Sequence, residues 1–195
     1  MSKDGHLRCI RVWLGVFIAG LVLSGVTAFP LEHETAFLAR FAAAHPGLPE
    51  GISSWLVRVH AALHEDGLRA PFLAYGTDWL AFAHLVLAVL FLGPMRDPVG
   101  NKWVLQFGVI ACLGVLPLAL IAGPLRGIPV FWRLIDCSFG VFGVIPLLFS
   151  LRHVRELERL ENPFAKFAGC MPGSTTIAEI VAREREMRDP DDEYM

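Results

Sequence analysis

Four stretches of the chain, roughly residues 11–29, 76–94, 103–122 and 130–151, are each long and apolar enough to cross a bilayer. A hydrocarbon core of about 30 Å takes about 17–25 apolar residues in helical form. A water-exposed helix of that length would carry a polar stripe, whereas the polar positions here are isolated. Composition points the same way: 54% of residues are hydrophobic and 18% charged, against about a quarter charged in soluble domains. The expected fold is all-α: a polytopic four-transmembrane-helix bundle over residues 1–151, with a tail over 152–195.

Orientation follows from Lys and Arg. Lys3, Arg8 and Arg11 precede the first span, Arg96 and Lys102 follow the second, and seven more lie beyond Leu151. Arg40, Arg58, Arg69 and Arg126 fall on the opposite side. The positive-inside rule then places both termini in the cytoplasm. Trp13 and Trp103 mark inner ends of spans, Trp79 and Trp132 outer ends, as expected for indoles at the headgroup level. The first span, with Val26 and Ala28 near its end, also has features of a cleaved signal peptide. Its apolar run exceeds the roughly 7–15 residues of a signal core, which favours a retained anchor.

Residues 30–75 are too long for a simple connection and should have structure of their own. Phe37, Leu38 and Phe41 form one helical face, the Pro46–Pro49 stretch breaks it, and Ser53 or Ser54 offers a cap for a second helix carrying Trp55, Leu56, Val59 and Leu63. Two such helices are expected in the membrane interface, as a lid on the bundle. In the tail, Thr176 and Glu179 form a capping box for a short helix that offers a surface to a protein partner or to the bundle.

The polar residues within the spans cluster by depth. At about 1.5 Å per residue, Asp78 lies at the outer boundary and His84 about 12 Å down. Arg133 and Asp136 lie about 5 and 9 Å down the fourth span. Asp136 shares a face with Gly140 and Gly143, where helices can approach closely. Arg133 is spaced to reach Asp136, or Asp78 across the bundle. Ionisable groups inside a membrane are expensive and mark functional sites by default, although a buried ion pair that only fixes helix register would need the same residues. Asp78, His84, Arg133 and Asp136 are therefore the candidates for ligand binding or proton relay.

His60 and His64 have the i, i+4 spacing of a two-imidazole metal site, but no third ligand accompanies them, and no metal is expected. Bis-histidine haem needs a second histidine at the depth of His84, and no other span has one. Cys9 and Cys170 fall on the inner side, Cys112 and Cys137 in spans, so neither an outer disulfide framework nor a zinc site is implied. The Gly-Pro pairs in "LGPMRDP" and "AGPLRGIP" are expected to stop the second and third spans.

The stretches "SGVTAFPLE", "YGTDWLAFAHLVLAVLFLGPMRDP" and "GIPVFWRLIDCSFGVFGVIPL" resemble a family of bacterial four-helix integral membrane proteins with no established activity. The resemblance covers the first span to the end of the fourth. It implies a bacterial inner membrane and supplies no functional residues.

The bilayer is thus the first expected partner. No basic cluster points to nucleic acid, and no hydrolase or phosphate-loop motif points to an enzyme. Three readings follow: a small-ligand binding or proton-relay module, a quinone- or haem-associated redox protein, and a scaffold or assembly factor.

Overall fold

The computed structural model describes residues 2–161. Among them the chain is all-helical, 88% in helix with no strand. The chain divides into two compact units, Met1–Leu157 and Glu158–Met195. Thr176 and Glu179 lie outside the described residues.

Four long helical runs are apolar enough to span a membrane: Lys3–Ala28, Pro71–Arg96, Lys102–Leu125 and Val130–Glu161. Within the protein, only 17–28% of the most apolar window of each is buried, so most of that surface faces outward. Val16, Leu23, Phe82, Val89, Ile110, Ile121, Phe139 and Phe142 all lie exposed on it. Apolar surface of this extent is stable against lipid tails rather than water.

Helix α1 is Lys3–Ala28. The Ser2 hydroxyl caps it by accepting the Gly5 N–H, satisfying one of the donors a helix start leaves free. It ends at Ala28; Phe29 still has helical backbone, and the chain leaves the helix at Pro30 (ψ 42°), which has no N–H to continue the ladder. Helices α2 (Leu31–Ala44) and α3 (Glu50–Arg69) form a packed pair. A single 3₁₀ turn, Pro71–Leu73, leads into α4 (Ala74–Leu90), which packs along α1. Helix α5 (Leu92–Arg96) prolongs the second run. Helix α6 is Lys102–Pro117, followed by a π-helical turn Leu118–Ala122 and the short α7, Gly123–Leu125. Pro117 has no N–H for the carbonyl four residues back, and the ladder loosens to the wider π spacing just beyond it. Helix α8 is Val130–Glu161 and contains Pro146. The Ser150 hydroxyl donates to the Pro146 carbonyl at 2.8 Å, so this buried polar group is satisfied.

Two local expectations are corrected. The Gly-Pro pairs do not stop their helices: Gly93 and Pro94 sit inside α5, and Gly123 and Pro124 form the start of α7. Proline is tolerated in a first helical turn, where its missing N–H is not required. The real stop of the third run is Gly127, at φ +68°. The Ile128 N–H reaches the Gly123 carbonyl, and the Gly127 N–H reaches Pro124, a Schellman ending that needs left-handed backbone. Neither Ser53 nor Ser54 caps α3. The helix begins earlier, at Glu50 behind Pro49, and the Ser54 hydroxyl donates back to the Gly51 carbonyl.

The core lies toward the end of the bundle where α1 begins and α8 ends. Ile10, Leu14, Phe91, Val104, Leu105, Leu147, Leu151, Val154 and Leu157 form one buried cluster. Trp13 stacks on Phe149 with centroids 4.8 Å apart, and Phe17 meets Phe91 edge-on at 4.7 Å. His6 and His153 close this end, their Nδ1 atoms 2.9 Å apart, so one imidazole donates and the other accepts. Toward the opposite end, which carries the α2–α3 hairpin, the helices touch through glycine. A Cβ on Gly25 would meet the Ala81 carbonyl oxygen at 2.9 Å, and one on Gly140 the Cys112 carbonyl oxygen at 2.5 Å. Close backbone approach at small residues is the usual way helices associate in lipid, where burial from water supplies no drive.

Candidate functional site

The hairpin end holds the polar residues singled out in the sequence, on two different pairs of helices. Asp78 is in the first turns of α4, half-buried, and lines a cleft of about 690 Å³. The α1–α2 corner contributes Phe29, Pro30, Leu31, Glu32 and His33; α3 contributes Leu63, Asp66 and Gly67; α4 and the turn before it contribute Leu73, Ala74, Thr77 and Asp78. The lining therefore joins apolar surface to three carboxylates, with no Lys or Arg among its residues.

Within the hairpin α2 packs chiefly on α3, and its buried face is small. Thr35, Ala39 and Ala42 are the buried residues of α2, and the Thr35 hydroxyl donates to the Leu31 carbonyl at 3.0 Å. Phe37 and Phe41, by contrast, point outward and are 68% and 45% exposed. On α3, Trp55, Leu56, Val59 and Leu63 are all half-buried. The hairpin thus keeps an aromatic surface on α2 that its own partner helix does not cover.

Glu32 is the cleft carboxylate with a defined partner. His64 Nδ1 donates to Glu32 Oε1 at 2.7 Å, tying the last turns of α3 to the first turn of α2. This hydrogen bond holds the Glu32 carboxyl below its ordinary value of 4.5, against the opposing effect of desolvation and with weaker help from the charge of His64, His33 and His60. A depressed carboxylate pKa adds stability above the ordinary value, and that stability is lost as pH falls through the folded value. Carboxyl-resolved NMR on Glu32 is thus expected to give a midpoint under 4.5, and His64→Ala to move it back up. An unchanged midpoint in the variant would remove His64 as the cause.

His84 lies deeper on α4, half-buried. Its Nδ1 donates to the Leu80 carbonyl one turn back at 2.8 Å, within its own helix rather than across the bundle. Its Cβ lies 3.2 Å from where a Cβ on Gly25 would stand, so the imidazole starts from the α1–α4 crossing.

Arg133 and Asp136 belong to the α6–α8 side. The Arg133 side chain lies across Gly123, its Cδ 2.5 Å from the position a Cβ there would take. Arg133 Nε is buried without a hydrogen-bond partner among the described residues. Asp136 is half-buried one turn before Gly140. The ion pair that their spacing allows is not formed, nor does Arg133 reach Asp78; the exposed bridges Glu32–His64 and Glu65–Arg69 involve neither. Depth was readable from residue count along each span, but the lateral grouping of these four depends on which helices are neighbours.

His60 and His64 have ring centroids 6.1 Å apart. Among the described residues no group of three or more His, Cys, Asp or Glu side chains is placed to hold a metal ion. The cleft residues Glu32, His33 and Asp66 were not among the sequence candidates. Glu32 follows the first span directly, and depth counting puts it at the same outer rim as Asp78; Asp66 comes from a helix outside the spans, which depth counting does not reach.

No family model, curated protein or solved structure matches this chain.

Proposed function

We propose that the protein is a bacterial inner-membrane protein with both termini in the cytoplasm, whose hairpin end faces outward and binds a small ligand. The cleft around Asp78 is the observation that carries this reading. Ligand sites are concave and largely apolar, with a few converging polar groups, and the Asp78 cleft has that make-up. Three carboxylates with His33 and no Lys or Arg in the lining disfavour an anionic ligand, so the occupant is neutral or positively charged and partly apolar. The α2–α3 hairpin lies in the membrane interface over this end. The outward Phe37 and Phe41 support that placement, since an amphipathic helix buries its apolar face at the headgroup boundary. The distribution of Lys and Arg supports the orientation.

The test uses the full chain purified in mild detergent from a bacterial membrane. Native mass spectrometry reads any retained ligand, and thermal shifts against a panel of small amines, neutral amphiphiles and carboxylates read added ones. Amines or neutral amphiphiles are expected to raise the melting temperature, and Asp78→Ala with Asp66→Ala to abolish the rise. Stabilisation by carboxylates alone, or shifts identical in the variants, would overturn the reading. An absorption spectrum of the same sample decides the redox alternative, which requires a Soret band or a co-purified quinone.

A further inference from the structure

Arg133 is a cation with no counter-ion among the described residues. It lies about three residues into α8, and its stem is laid over the Gly123 backbone. Its Nε is buried without an acceptor among the described residues. The carboxylate nearest in sequence, Asp136, forms no ion pair with it. Three carbonyls around α7 already accept backbone donors. The Ala122 and Gly123 carbonyls accept the Arg126 N–H, the Gly123 carbonyl also accepts the Ile128 N–H, and the Pro124 carbonyl accepts the Gly127 N–H. A guanidinium at the rim of a span costs free energy until it finds an anion or water.

The surroundings indicate which anion. Arg126 follows Gly123 by three residues, on the same side of the helix, and is exposed. Two arginines thus stand at the outer ends of adjacent spans. Leu125 is 82% exposed and Val130 is 61% exposed, which is surface for acyl chains rather than for water. Guanidinium groups bind phosphate through paired N–H donors. We propose that Arg133 and Arg126 hold the phosphate of an anionic phospholipid in the outer leaflet, with Leu125 and Val130 against its chains. This site is separate from the Asp78 cleft and shares with that reading only the membrane placement. It rests on that reading for the membrane placement alone, and a cleft that binds no ligand leaves it standing.

Native mass spectrometry of the full chain in detergent tests it, with phosphatidylglycerol, phosphatidylcholine and inorganic phosphate titrated separately. Phosphatidylglycerol is expected to bind in preference to phosphatidylcholine. Each arginine near a charged headgroup is worth about 1 kcal/mol, roughly a fivefold change in affinity. Arg133→Gln should therefore weaken phosphatidylglycerol binding about fivefold, and Arg133→Lys should restore part of it. Arg126→Gln, at an exposed position that no packing depends on, gives a second reading if the Arg133 variant fails to fold. Equal retention of the two lipids would overturn the proposal, as would unchanged binding in both glutamine variants. Saturation by inorganic phosphate with no lipid preference would also overturn it, making the site one for a free anion.

Discussion

Valine at Gly140 is expected to force the third and fourth spans apart and to cost about 3 kcal/mol, the upper part of the overpacking range. The reason is what a side chain there would strike. A Cβ on Gly140 would stand 2.5 Å from the Cys112 carbonyl oxygen and 3.3 Å from Val115 Cβ. A flexible side-chain end can swing away from such a clash; a helix backbone cannot. Relief must come from moving α8 as a body, which also disturbs the close approach at Gly143, where a Cβ would stand 2.9 Å from the Cys112 thiol. Gly15 is the control, because a Cβ there meets nothing within 4 Å. Gly15→Ala should be neutral or slightly stabilising, since alanine is the better helix former. Reversible unfolding in mixed detergent micelles measures both. Equal stability of Gly140→Val and the parent would mean that α6 and α8 do not pack as described.

Truncating Phe91 to alanine should cost about 3 kcal/mol, the lower part of the range for buried aromatics. Phe91 is 1% exposed and lies against Phe17 on α1. A Cβ on Gly108 would come 2.7 Å from its ring and 2.9 Å from Leu147. The ring therefore fills the space between three helices. Little of its worth comes from leaving water, because the alternative surroundings are lipid. Its worth lies in dispersion contacts that a cavity forfeits. The same geometry predicts non-additivity. Gly108→Ala alone should destabilise by crowding the ring, but in the Phe91→Ala background the new methyl should partly fill the hole. A double-mutant cycle measures this coupling directly. Phe142, 69% exposed on α8, should tolerate alanine with little loss, and a comparable loss there would contradict the burial pattern.

The four spans were legible because lipid imposes a length and an apolarity that few other contexts demand. Their ends were less so. Helix α1 begins at Lys3, well ahead of the apolar run, whereas the charged pattern of "LRHVRELERLE" does predict the continuation of α8 past the span to Glu161. The glycine face of α8 was also readable, because Gly140 and Gly143 recur at helical spacing and both meet α6. The partners of the charged residues were not readable. Arg133 and Asp136 have the spacing for an ion pair, yet the arginine stem turns instead onto Gly123, a residue ten positions earlier across a loop. Glu32 meets His64 only because α2 and α3 fold back on each other, and neither residue's local sequence contains that information.

The uneven distribution of large side chains has a mechanical consequence. Every member of the interlocked cluster, from Ile10 to Leu157, lies toward one end. The buried contacts near the hairpin rest on small residues such as Gly25, Ala81, Ala119, Gly123 and Gly140. Separating the helices there breaks few dispersion contacts, while separating them at the other end means dismantling the cluster. Local opening favours the weaker region. The bundle should therefore behave as a clothes-peg, sprung at the end that holds the termini and free to part at its jaws, where the cleft and Arg133 both sit.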